Sequence, residues 1–275
     1  MGIKETQINL TMKRIIVLLS CIALLGCGNN EKGQINNPER KLIWSDEFNY
    51  NGLPDPEKWN YEEGMLRNNE AQFYTRADER NARVSDGFLT IEARKDDEGR
   101  AAYSSASLLT RGKKSFRYGR FDVRAKVPVG KGTWPAIWML GENIGEVGWP
   151  ACGEIDIMEN VGFDSLKIHG NIHTEAFNHV KNTNKGNSIQ VEKPWESFHV
   201  YSVDWRADSI QFFVDDEKYF TYVKPANATD AEWPFDKPHY LIINLAIGGG
   251  WGGQQGIDES RFPHEYIIDY VRVFE

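Results

Sequence analysis

Cysteine is scarce in this chain. Among 275 residues there are three, at positions 21, 27 and 152, and the first two fall in an N-terminal segment unlike the rest. That leaves Cys152 alone for the remainder, which excludes a disulfide scaffold. Basic charge is also short. Lys and Arg number 32 against 40 Asp and Glu, for a formal charge of -8. Nucleic acid and anionic membrane surfaces call for a basic patch, so neither is an expected partner. The longest apolar run, residues 15–25, is too short to span a bilayer as a helix. Missing too are His/Cys metal spacing, a phosphate-binding glycine loop ahead of a helix, and a Ser-His-Asp arrangement. No long stretch keeps an apolar 3.6-residue period, so helices should be few and short.

What is present begins with a leader. Lys13 and Arg14 precede the apolar run, as in a secretory signal peptide. The run ends in Leu24-Leu25-Gly26-Cys27, which resembles a bacterial lipobox. That resemblance implies removal of residues 1–26, lipidation of Cys27, and an exported lipoprotein anchored at the outer membrane or cell surface. Met12 is then a candidate start. The opening "MGIKET" also matches a myristoylation pattern, which bacterial export sets aside. Residues 27–41 are polar and aperiodic and read as a flexible tether. The domain proper should run from 42 to 275, with 40% hydrophobic and 12% aromatic residues in the whole chain. That supplies enough apolar surface for one large core.

Within the domain, β-type runs recur between Gly, Asp and Asn turns. They include "GFLTIEARK" (87–95), "YGRFDVRAKVP" (118–128), "TWPAIWML" (133–140), "KIHGNIHT" (167–174), "HYLIINLAIGG" (239–249) and "YIIDYVRVF" (266–274). "FHVYSVDW" (198–205) and "SIQFFVDD" (209–216), joined by "RADS", predict a hairpin. Many strands with short turns point to an all-β sandwich or jelly roll of two antiparallel sheets.

The stretch "GEIDIMEN" (153–160) carries the chemistry. Glu154 and Asp156 share one face of a strand and Ile155 and Ile157 the other. Clustered acids repel one another, so their density needs a reason. Strict alternation sends Glu159 to the apolar face. A β-bulge at Ile157 or Met158 would shift later side chains by one and return Glu159 to the acidic face. With the bulge taking up one residue, the four remaining pleated positions would still leave the two glutamates well apart, roughly 13 Å at about 3.3 Å per step. Retaining glycosidases want carboxyls ~5–5.5 Å apart and inverting ones ~6.5–9.5 Å, so side chains must lean together. Cys152, two residues ahead, reads as a buried inert thiol.

These residues resemble the signature of glycoside hydrolase family 16 in its laminarinase-type form, E-x-D-x-x-E. "WSDEFN" (44–49), "NNEAQFYT" (68–75), "GTWPAIWMLG" (132–141), "WPACGEIDIMENVG" (149–162), "IHTEAFNH" (172–179), "LAIGGGWGG" (245–253) and "IDYVRVF" (268–274) follow in the family's order. The resemblance implies a concanavalin-like jelly roll with a concave catalytic cleft, and a monomer acting on β-1,3-glucan or mixed-linkage β-1,3/1,4-glucan. It implies Glu154 as nucleophile, Asp156 as assisting acid and Glu159 as general acid/base. It implies sugar contacts from Trp134, Trp138, Trp149, His173, Asn68, Asn69, Asn244 and Trp251. No cofactor is implied for catalysis; a structural calcium is, with Glu47, Asp269 and the backbone of Gly87 as donors. A galactan-cutting relative (agarase, porphyranase or carrageenase type) and a non-catalytic glycan-binding protein are the alternatives.

Overall fold

The computed structural model describes residues 40–275. The leader, Cys27 and most of the tether lie outside the described residues. The domain begins two residues earlier than the sequence suggests. Arg40 forks onto Asp204 at 2.7 and 3.2 Å, and Lys41 exchanges backbone hydrogen bonds with Glu275 at 3.1 and 2.9 Å. Arg40 and Lys41 therefore belong to the fold and not to the tether.

Two sheets enclose the core. The cleft sheet has seven strands in the order Lys185–Gln190, Lys167–His173, Glu154–Glu159, Thr133–Gly141, His239–Ile247, Ser107–Leu109 and Asn60–Tyr61. The outer sheet has ten. Its path runs Glu217–Val223, Ser209–Val214, His199–Trp205, Gly119–Lys126, His264–Phe274, Phe88–Lys95, Tyr103–Ser105 and Gln72–Tyr74. Leu42–Asp46 also pairs with His264–Phe274, and Ala82–Ser85 with Phe88–Lys95. The expected hairpin forms, with Tyr201 opposite Val214 and Trp205 opposite Ile210. One pairing departs from the antiparallel expectation: Gln72–Tyr74 lies parallel to Tyr103–Ser105. Among the described residues the helices are single turns, Ile144–Val147 and three 3-10 segments.

Alternation explains the layers. In Gly119–Lys126, Phe121, Val123 and Ala125 are buried while Arg120, Asp122, Arg124 and Lys126 point outward. The same period splits Thr133–Gly141: Ile137 and Met139 enter the core, and Trp134, Ala136, Trp138 and Leu140 line a cleft on the opposite face. His239–Ile247, beside it at the centre of the sheet, is buried along its whole length.

Strand Lys167–His173 places Ile168, Gly170 and Ile172 inward, leaving His169, Asn171 and His173 for the cleft. Gly170 is where the two sheets come closest to that strand. A Cβ there would meet the Tyr219 hydroxyl at 2.5 Å and the Phe212 ring at 2.8 Å. Both neighbours belong to the outer sheet and are packed, so neither can yield cheaply. Gly170→Ala is therefore expected to destabilise the domain by about 1–3 kcal/mol. Thermal unfolding would show this as a fall of several degrees; an unchanged midpoint would mean the sheets part there without cost.

Candidate active site

The acidic strand slips register where its sequence demands it. Along Thr133–Gly141, Asp156 sits opposite Trp138 and Met158 opposite Ile137, so Ile157 has no partner. Along Lys167–His173, Asp156 faces Asn171 and Glu159 faces His169, three steps against two. Ile157 and Met158 both turn into the core. The bulge is thus driven by two consecutive apolar side chains seeking burial. Its consequence is that Glu154, Asp156 and Glu159 all line one cleft of about 880 Å³.

Each glutamate has its own indole donor. Trp149 Nε1 donates to Glu154 Oε2 at 2.9 Å, and Trp134 Nε1 donates to Glu159 Oε1 at 3.0 Å. Asn171 Nδ2 donates to the other oxygen of Glu159 at 3.2 Å. His173 Nε2 lies 3.2 Å from Asp156 Oδ2 and 3.7 Å from Glu154 Oε1. Glu154, Asp156 and His173 each bring one atom within 4.8 Å of the others, the one such metal-sized group among the described residues. It lies inside the acid cluster.

Electrostatics resist full ionisation of the cluster. Burial holds Glu154 and Asp156 well above the usual carboxylate range, and the repulsion of Asp156 on Glu154 and of Glu159 on Asp156 adds to it. Burial also raises Glu159, but less, because His173 and the Trp134 and Asn171 donors offset it. Burial is the principal cause of the rise at Glu159. Asp156 and Glu154 stand two apart on one face of the strand in the same buried patch, so charging both at once is unfavourable and the pair tends to keep a proton. Cys152 is fully buried, and burial with the nearby Glu154 charge pushes its thiol up to about 11, as suits an inert side chain.

The residues expected from sequence to contact sugar all line the cleft. Asn68 and Asn69 line it from consecutive left-handed conformations, φ 57° and 54°, which asparagine tolerates. Trp251 stands edge-on to Trp134 at 5.5 Å and to His169 at 5.0 Å. Trp149 is the most open of the tryptophans there, 37% exposed. Trp138 differs from a sugar-stacking platform. It is 9% exposed, Arg67 covers its ring at 5.0 Å, and its N–H is held by Asn244 at 2.7 Å. It forms the cleft floor. The sequence reading missed Arg67, Glu70, His169, Asn171, His179 and Asn184. Alternation alone could have given His169 and Asn171, which share the face of His173.

The expected calcium donors do not fit a cation as arranged. Arg272 grips Glu47 at 3.0 and 2.8 Å, and Arg124 is paired with Asp269. Each carboxylate is already neutralised by a guanidinium that would repel an ion.

Because burial raises these acids, the cluster favours the fold below about pH 4 and opposes it as pH climbs through the folded pKa values. Asp156→Asn should remove part of that penalty while impairing turnover. Melting curves of variant and parent should coincide near pH 4 and diverge by several degrees towards neutrality, the variant being higher. A variant that melts lower throughout would show the proton is not under strain.

A model of the glycosyl hydrolases of family 16 matches residues 69–272. A beta-glucanase of Rhodothermus marinus is 48% identical over 275 residues, spanning 96% of this chain and 94% of that protein. The crystal structure of the laminarinase from Rhodothermus marinus superposes with a TM-score of 0.84 at 49% identity, covering 87% of this chain and 98% of the other. The laminarinase from Flavobacterium sp. UMI-01 gives a TM-score of 0.78 at 42% identity over 86% and 100% of the two chains. The bulged triad of acids and the jelly roll that presents it are thus those of a glycoside hydrolase, and the chain belongs to family 16.

Proposed function

We propose that this enzyme cuts β-1,3-glucan or mixed-linkage β-1,3/1,4-glucan internally, with retention of anomeric configuration. The observation that carries the reading is the bulge, which places two glutamates in one aromatic-walled cleft, each with a separate indole donor. Glu154 would attack the anomeric carbon while Glu159 protonates the leaving oxygen; Glu159 then activates the water that releases the glycosyl-enzyme. Asp156, whose proton burial and the Glu159 charge help to retain, would keep two adjacent carboxyls from charging together and donate to Glu154 until attack. Trp134, Trp149 and Trp251 offer ring faces and edges to sugar, with Asn68, Asn69 and His173 as polar contacts.

The cleft also favours a neutral glucan over a sulfated galactan. Arg67 is the one Lys or Arg among its lining residues, and it is paired with Glu62. A binding protein would have no use for a buried, mutually repelling triad. Glu154→Gln should abolish release of reducing ends from laminarin yet still bind its oligosaccharides. On an activated aryl glycoside, azide should rescue Glu154→Ala to an α-glycosyl azide and Glu159→Ala to a β-glycosyl azide. The opposite stereochemistry would exchange the two roles, and full activity in Glu154→Gln would end the reading.

For localisation, Lys13-Arg14, the apolar run and Leu24-Leu25-Gly26-Cys27 support export, cleavage after Gly26 and lipid attachment at Cys27, tethering a monomeric domain to the membrane. In a bacterial host, Cys27→Ala should move the protein from the membrane to the soluble fraction. Retention in the membrane would refute the anchor.

A further inference from the structure

The polar loop between Thr174 and Asn184 is built, not slack. Its centre is Asn178, 2% exposed. The Asn178 amide donates to the carbonyls of Thr174 at 3.0 Å and Glu175 at 3.3 Å, and its oxygen accepts from Lys181 N at 3.1 Å. Thr183 Oγ1 accepts from Asn178 N at 3.2 Å and donates to Ala176 O at 3.1 Å. The loop therefore delivers Asn184 to a defined place. There Asn184 Nδ2 donates to Asn171 Oδ1 at 3.0 Å, and Asn171 Nδ2 donates to Glu159 Oε2 at 3.2 Å.

A carboxamide has one accepting end and one donating end. With its oxygen held by Asn184, Asn171 can offer only N–H to Glu159. The neighbouring strand completes the cradle. Gly186 pairs with Asn171, and a Cβ at 186 would lie 2.0 Å from Asn171 Oδ1. We propose that Asn184 is a positioning residue for the catalytic acid/base, fixing the Asn171 amide so that its donor faces Glu159. Without it the amide is free to turn over, and an oxygen facing Glu159 would favour the acid over the carboxylate.

The inference rests on the acid/base reading of Glu159. It is read from the alkaline limb of the kcat/KM profile, which reports loss of the proton that the acid must give. The other groups facing Glu159 are Glu154 and Asp156 on its own strand, His169 and His173 on the next, and Tyr219 behind them. Substituting the exposed Asn184 alters none of these. Asn184→Ala should move the alkaline limb upward by about 0.5 pH unit or more, with the melting temperature little changed. Asn171→Ala should move it in the same direction. The double variant should match Asn171→Ala alone, because the two residues act in series. An unmoved limb in Asn184→Ala, or additive shifts in the double variant, would overturn the proposal. Full activity in Glu159→Gln would instead remove the acid/base reading beneath it.

Discussion

The site depends on one unpaired residue, Ile157. A strand with perfect alternation would offer Glu154 and Asp156 to the cleft and bury Glu159 among Ile137, Ile168 and their neighbours. An unpaired carboxyl in that core would cost several kcal/mol or take up a proton. The bulge removes this cost and gains burial for both Ile157 and Met158. Hydrophobic burial on one face and catalytic geometry on the other are therefore one constraint. The sheet cannot pack Met158 without turning Glu159 outward.

Bringing three acids to one face creates the next demand, for donors. The cleft meets it from two strands and one loop: Trp134 from the strand on one side, Asn171 from the strand on the other, and Trp149 from the approach to the acidic strand, with His173 Nε2 lying 3.2 Å from Asp156. The supply is uneven. Glu159 receives two N–H groups, Glu154 one, and Asp156 Oδ2 none. Unequal donation lets the carboxyls differ in ionisation although they lie within one buried patch.

Much of this was legible because it is periodic. Apolar–polar alternation in Gly119–Lys126 and its kin marks the strands, and a broken alternation in "EIDIMEN" marks the bulge. What the sequence did not disclose is set by tertiary register. Nothing local to Asn184 points to Glu159; the link exists only because the loop folds about Asn178 and strand Lys185–Gln190 pairs with Lys167–His173. Trp138 and Trp134 look alike from sequence, four apart on one face, yet one ring is capped by Arg67 and the other stands edge-on to Trp251. The acids assigned to calcium are taken up for the same reason: their arginine partners, Arg272 and Arg124, are distant in sequence and are brought to them by the outer sheet.

Trp134 and Trp149 tie recognition to chemistry. Each spends its only polar side-chain atom on a carboxylate of the acidic strand while its ring lines the cleft. An indole has two side-chain torsions, so a sugar that settles on the ring also settles the N–H. The donor strength felt by each glutamate then rises as the polymer occupies the cleft. A short substrate that leaves one ring uncovered forgoes part of that ordering on the corresponding acid. On the roles proposed for Glu154 and Glu159, binding energy collected along the polymer would in this way be directed to the two groups that break its linkage, which is how remote contacts raise turnover and not merely affinity.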